Sequence, residues 1–133
     1  MSICPLKRRR LAAGLVAWLV LTGAVRGASD ELDTDLMHSI EDTNKSLASN
    51  IAVKEIRAAS TDAKELGEMF AQVEAFYERK ADAADAVELA RKGRELSVRI
   101  LQSVSSGDFG AATDSATALS RNCKTCHNYY KKS

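Results

Sequence analysis

Apolar residues recur along this chain at alternating spacings of three and four, the period that lines one face of an α-helix. Four segments carry the pattern. The first is ELDTDLMHSIEDTNKSLASN (residues 31–50), with Leu32, Leu36 or Met37, Ile40 and Leu47 on one face. The second runs from about Ile51 to Tyr77 and aligns Val53, Ile56, Ala59, Ala63, Leu66, Phe70, Val73 and Tyr77. The third, ADAVELARKGRELSVRILQSV, aligns Ala86, Leu89, Gly93, Leu96, Ile100 and Val104. The fourth aligns Phe109, Ala112, Ala116, Leu119, Cys123, Cys126 or His127, and Tyr130. No stretch shows the period-two alternation of a half-buried strand.

The punctuation between segments is uneven. Gly107 ends the third helix and Asp108 caps the fourth, while Lys80-Ala81-Asp82 marks the preceding turn. The first connection, near Ala48 to Ile51, has weak breaking signals. Ser29 or Asp30 can cap the first helix, and Asp30, Glu31, Asp33 and Asp35 suit the positive end of its dipole. Amphipathic helices joined by short connections predict an all-α fold, an antiparallel up-down-up-down four-helix bundle.

The segment before residue 28 is of another kind. A basic cluster, Lys7 to Arg10, precedes the apolar run Leu11 to Val25 and the small residues that follow it. That order reads as a secretory signal peptide over 1–27, with a single domain over 28–133. An uncleaved membrane anchor is the alternative, although a spanning helix needs about 20 apolar residues. The arginine run is only a weak twin-arginine signal, and no Cys follows the apolar run to suggest a lipoprotein. The sole proline, Pro5, lies in this segment.

Cleavage changes the charge. The 133-residue chain has 19 basic and 18 acidic residues, but Lys7, Arg8, Arg9, Arg10 and Arg26 leave with the signal. The remaining 106 residues carry 14 basic against 18 acidic, formally −4. Such a domain is no nucleic-acid binder by default. Cys4 leaves as well, so Cys123 and Cys126 are the cysteines of the mature chain. A disulfide between residues this close in sequence would restrain almost nothing.

Those two cysteines carry the chemistry. In NCKTCHNYY, residues 122–130, Cys123 and Cys126 project to one side of a helix, and His127 falls on the same face. Structural zinc needs four ligands, and His38 is the only other histidine. A dithiol oxidoreductase places its Cys pair at a helix N-terminus, which lowers the thiol pKa; this pair lies near a helix C-terminus. Two thioethers at the vinyl edges of a porphyrin, with the adjacent His reaching the iron, fit the spacing. The alanines of the inner faces, Ala59, Ala63, Ala86, Ala112 and Ala116, suggest volume left for the ring.

Export signal, helical bundle and a closing CKTCHNYYKK together resemble the cytochrome c′ family, the class II c-type cytochromes. The resemblance spans essentially all of residues 28–133, and its specific part is the last helix: GDFGAA, then CKTCH, then Tyr130 and Lys131. It implies one haem c bound through Cys123 and Cys126 with His127 as proximal iron ligand. It also implies a periplasmic, non-enzymatic carrier of single electrons between redox partner proteins. Lys131 stands where that family usually has Arg beside the proximal haem face. The chain is shorter than is typical around the second connection, which bears on dimerisation and leaves a homodimer open.

The opposite side of the iron separates low-spin, Met-ligated relatives from five-coordinate ones that bind small gases. LMHSIEDTNKSL resembles the first helix of the Met-ligated relatives and puts Met37 in the ligand position. Met37 as core filler, a register that places Ile40 opposite the iron, and His38 as ligand stay open. Met69 reads as packing, and Arg91, Lys92 and Arg94 beside Glu88 and Glu95 read as a solvated face. A structural or accessory subunit of a larger redox complex is a third function. Lys124, Lys131 and Lys132 cluster near the expected haem edge, either to dock an acidic redox partner or to complement the helix dipole. Charge reversal at Lys124 and Lys132 is expected to change the salt dependence of electron transfer; an unchanged rate excludes the docking role.

Overall fold

The computed structural model describes residues 31–130, with side chains as far as Asn128. The expected export segment 1–27, the expected caps Ser29 and Asp30, and Lys131 and Lys132 lie outside the described residues. Four helices form: α1 (Thr34–Ala52), α2 (Ile56–Tyr77), α3 (Ala84–Ser105) and α4 (Phe109–Tyr130). No strand occurs among the described residues. α1 packs on α2, α2 on α3, α3 on α4, and α4 returns to α1. The connections, residues 53–55, 78–83 and 106–108, are far shorter than helices of about 30 Å. Each helix therefore runs back along its predecessor, and the whole is a four-helix bundle.

The turn into α4 follows its sequence signals. Gly107 adopts φ 78°. Its N–H donates to the Val104 carbonyl at 3.0 Å, and the Asp108 N–H donates to Ser103 at 2.8 Å. This paired closure satisfies the last carbonyls of α3. Asp108 Oδ1 then accepts from the Ala111 N–H at 2.9 Å and caps α4.

The turn into α2 departs from expectation. α1 continues through Ala52, so Ile51 belongs to its buried face at 4% exposure, while Val53 and Ile56 are 73% and 48% exposed. The cause is a second closure of the same kind. The Glu55 N–H donates to Asn50 at 2.9 Å and the Lys54 N–H to Ile51 at 3.1 Å. Its left-handed residue is Lys54, φ 58°, where glycine is usual. The start of α1 also differs: Asp33 is the cap, its Oδ1 accepting from the Asp35 N–H at 2.9 Å.

Burial divides the bundle along its length. The largest fully buried side chains are Leu47, Leu66, Ile100, Leu119, Val104 and Ser97. They come from the C-terminal halves of α1 and α3 and the N-terminal halves of α2 and α4, hence from one half of an antiparallel bundle. Ala59, Ala63 and Ala112 are buried in that same half, so they draw helices together instead of leaving volume for a ring. Of the alanines expected to leave room, Ala86 alone is buried in the other half, where Ala90 and Gly93 join it. There the Phe70 ring lies on Gly93; a Cβ at that glycine would come within 2.7 Å of it. Glu74, buried on α2, accepts from Arg91 Nε at 3.0 Å and pairs with Arg94 at 3.3 Å, which fastens α2 to α3.

Lys54→Gly is expected to raise stability by about 1 kcal/mol, because an L-residue pays roughly that to sit left-handed. Urea denaturation reads it as a higher midpoint at an unchanged slope.

Candidate haem-attachment site

Because α4 runs unbroken from its Asp108 cap to Tyr130, the cysteine pair lies on regular helix. Cys123 and Cys126 are both free and both half-buried. Cys123 packs against the apolar core, whereas His127 is exposed. With a spacing of three on the helix, their Cβ atoms lie about 5–6 Å apart on one face.

Burial pushes the Cys123 thiol up from its ordinary 9.0 to about 11, with the neighbouring Cys126 adding to the effect. Burial raises Cys126 as well. Both thiols are therefore protonated at neutral pH, the reverse of the thiolate that a dithiol oxidoreductase requires. Nor do the described residues contain any group of three or more His, Cys, Asp or Glu side chains placed to hold a metal ion. The arrangement suits neither dithiol exchange nor a bare ion.

The site lies at the open half of the bundle. Asn44 of α1 donates from Nδ2 to Ser120 Oγ of α4 at 3.4 Å, which marks how these antiparallel helices align. Seven residues toward the start of α1 is Met37, and seven toward the end of α4 is His127. Both steps cover about 10 Å, so the two residues fall at one level of the seam. α1 and α4 are also the least closely packed of the four neighbouring pairs. Around this level Leu32, Leu36, Met37, Tyr77 and Cys123 rest against the core yet are only half-buried. Half-buried apolar side chains beside two thiols and a histidine are the residues that a flat apolar group such as haem would cover.

The neighbouring candidates separate by environment. Met37 is half-buried against the core; His38, the next residue, is exposed; Ile40 is 6% exposed and one turn deeper. Met69 is half-buried and lines an open groove of about 430 Å³ between α1 and α2, beside Ser39, Glu65 and Glu68. Lys124 is exposed. Periodicity did not reveal Asn122, which is 6% exposed and donates from Nδ2 to the Leu89 carbonyl of α3 at 2.8 Å. Polar residues in an apolar stripe carry no period, so only its place next to Cys123 signals it. No helix among the described residues is long and apolar enough to cross a membrane.

No protein-family model, no curated protein and no solved structure matches the chain.

The raised thiols give a pH dependence of fixed sign. A group whose folded pKa exceeds its unfolded value favours the fold below the unfolded value and loses that contribution as pH climbs through the folded one. Without haem, stability is therefore expected to fall between pH 9.0 and about 11. Replacing both cysteines by serine is expected to flatten that part of the profile, as read by denaturant midpoints across the range.

Proposed function

We propose that this chain is an exported, monohaem c-type cytochrome that carries single electrons and transforms no substrate. The observation that carries the reading is the pair of free, half-buried thiols at the open half of the bundle, followed directly by His127. Cys123 and Cys126 are the anchors. Each adds its S–H across a vinyl C=C, sulfur to one carbon and hydrogen to the other, with no net oxidation. His127 supplies the proximal nitrogen, and its exposure leaves the imidazole free to turn toward the iron. The haem, once bound, supplies an iron that cycles between ferrous and ferric.

Met37 is the distal ligand in this reading. It comes from α1, whose packing on α4 is the loosest of the four neighbouring pairs, and the Asn44–Ser120 contact sets it level with His127. A thioether is a soft ligand that favours the ferrous state and raises the potential. The half-buried apolar side chains around it exclude water and complete the core against the ring. Export places the protein in the periplasm, where it meets redox partner proteins.

A second reading keeps the haem but leaves the distal position without a protein ligand, for binding small gases such as nitric oxide or carbon monoxide. The packing of Met37 against the core favours it, since a thioether already engaged as filler needs no second role.

The purified protein is expected to carry one haem that survives denaturing electrophoresis and adds one haem mass to the chain. Cys123→Ser with Cys126→Ser is expected to abolish that attachment. The ferric spectrum is expected to be low-spin with a weak charge-transfer band toward the red, lost in Met37→Ala. A high-spin ferric spectrum that Met37→Ala leaves unchanged would select the gas-binding reading.

A further inference from the structure

We propose that Asn122 is the positioning residue for the two cysteine anchors, fixing the rotation of α4 so that Cys123 faces the bundle interior. What the anchors do rests on the haem reading above; the rotational lock rests on the contact between α4 and α3 alone.

Apolar packing is non-directional. All six of the largest fully buried side chains lie in the closed half, and on α4 the last of them is Leu119. The motif begins one turn later, where Cys123 is only half-buried against the core and packing alone holds the helix face less tightly. At that point Asn122, 6% exposed, donates from Nδ2 to the Leu89 carbonyl at 2.8 Å. Leu89 lies well inside α3, and a carbonyl in a helix keeps a second lone pair for such a donor. A side chain one residue away on the helix is rotated by about 100°. Holding Asn122 against α3 therefore turns Cys123 toward the core residues it packs on.

The amide comes at a cost that an apolar residue would avoid. Asn122 Oδ1 is buried with no hydrogen-bond partner. An apolar side chain there would bury equally well and leave nothing orphaned. What it would not supply is direction. The other polar ties between helices do other work: Ser46 and Asn50 bond Asp62 between α1 and α2, and Arg91 and Arg94 meet Glu74 between α2 and α3. The α1–α4 contact of Asn44 with Ser120 is longer, at 3.4 Å.

The test compares Asn122→Leu with Leu119→Ala, a truncation in the closed half, in the full chain purified without haem. Iodoacetamide labelling followed by peptide mass analysis gives the ratio of Cys123 to Cys126 modification. In Asn122→Leu that ratio is expected to rise about fivefold, the effect of one net hydrogen bond on a local opening equilibrium. Its denaturant midpoint is expected to equal or exceed that of the wild type, because donor and orphaned acceptor leave together. Leu119→Ala is expected to lower the midpoint and keep the ratio. In the haem-loaded protein, Asn122→Leu is expected to yield singly attached haem by mass and a weaker visible circular dichroism signal. A ratio in Asn122→Leu that matches the wild type, or a rise that Leu119→Ala reproduces, overturns the proposal. A wild type that never takes up haem overturns the haem reading, while the labelling ratio still decides the role of Asn122.

Discussion

Burial of Leu47, Leu66, Ile100 and Leu119 in one half of the bundle is the interaction on which everything else in the molecule rests. Each helix contributes one of these side chains, and each is fully removed from water. Small neighbours, Ala59, Ala63 and Ala112, let the helix backbones approach closely around them. A close-packed layer of this kind ties all four helices together at one level. The far end buries smaller or less completely covered side chains, Ile40, Phe70 and Val73 among them. Its apolar residues, Leu36, Met37 and Tyr77 among them, pack on the core from one side only.

Polar contacts also tie the half that carries the cysteines. Arg91 and Arg94 hold the buried carboxylate of Glu74, and a buried carboxylate is tolerated only when it is paired. Asn122 reaches the Leu89 carbonyl. Gly93 omits a side chain so that Phe70 can lie on α3. All three features belong to the half that carries the cysteines. Directional bonds and a shape fit there act beside the apolar packing of Ile40, Phe70, Val73 and Ala90.

The sequence made the helices legible because 3.6-residue periodicity is a property of whole segments. The Gly107–Asp108 turn was equally legible, since both residues do what their chemistry favours. The α1–α2 boundary was not, and the reason is local. Lys54 occupies a left-handed position normally held by glycine, so the stripe appeared to run on through Val53 and Ile56. The cap of α1 was obscured by a crowd of carboxylates, and Asp33 is the one that accepts the capping bond among the described residues. Alanine misled for a different reason: a small side chain admits either a ligand or a closer helix, and composition cannot distinguish them. Ala59 and Ala63 took the second course. The cysteine pair was readable from spacing alone, whereas Glu74 and Asn122 were hidden because a buried polar residue breaks the very pattern used to find burial.

The three neighbours Met37, His38 and Ile40 show how far helix geometry narrows a choice that sequence leaves open. His38 is exposed, a rotation of about 100° away from Met37, and would have to turn its imidazole around the helix to enter the seam. Ile40 is 6% exposed and one turn nearer the closed core, on the side away from His127. Met37 is half-buried on the core-facing side and level with His127 by the Asn44–Ser120 alignment. A side chain in that place is long, unbranched and soft, which suits both of the roles assigned to it. In the proposed haem reading Met37 would pack on the group as filler or supply a thioether to its iron as ligand. Both roles would use the same position on α1. The level at which Met37 lies is set by helix register, through the Asn44–Ser120 alignment.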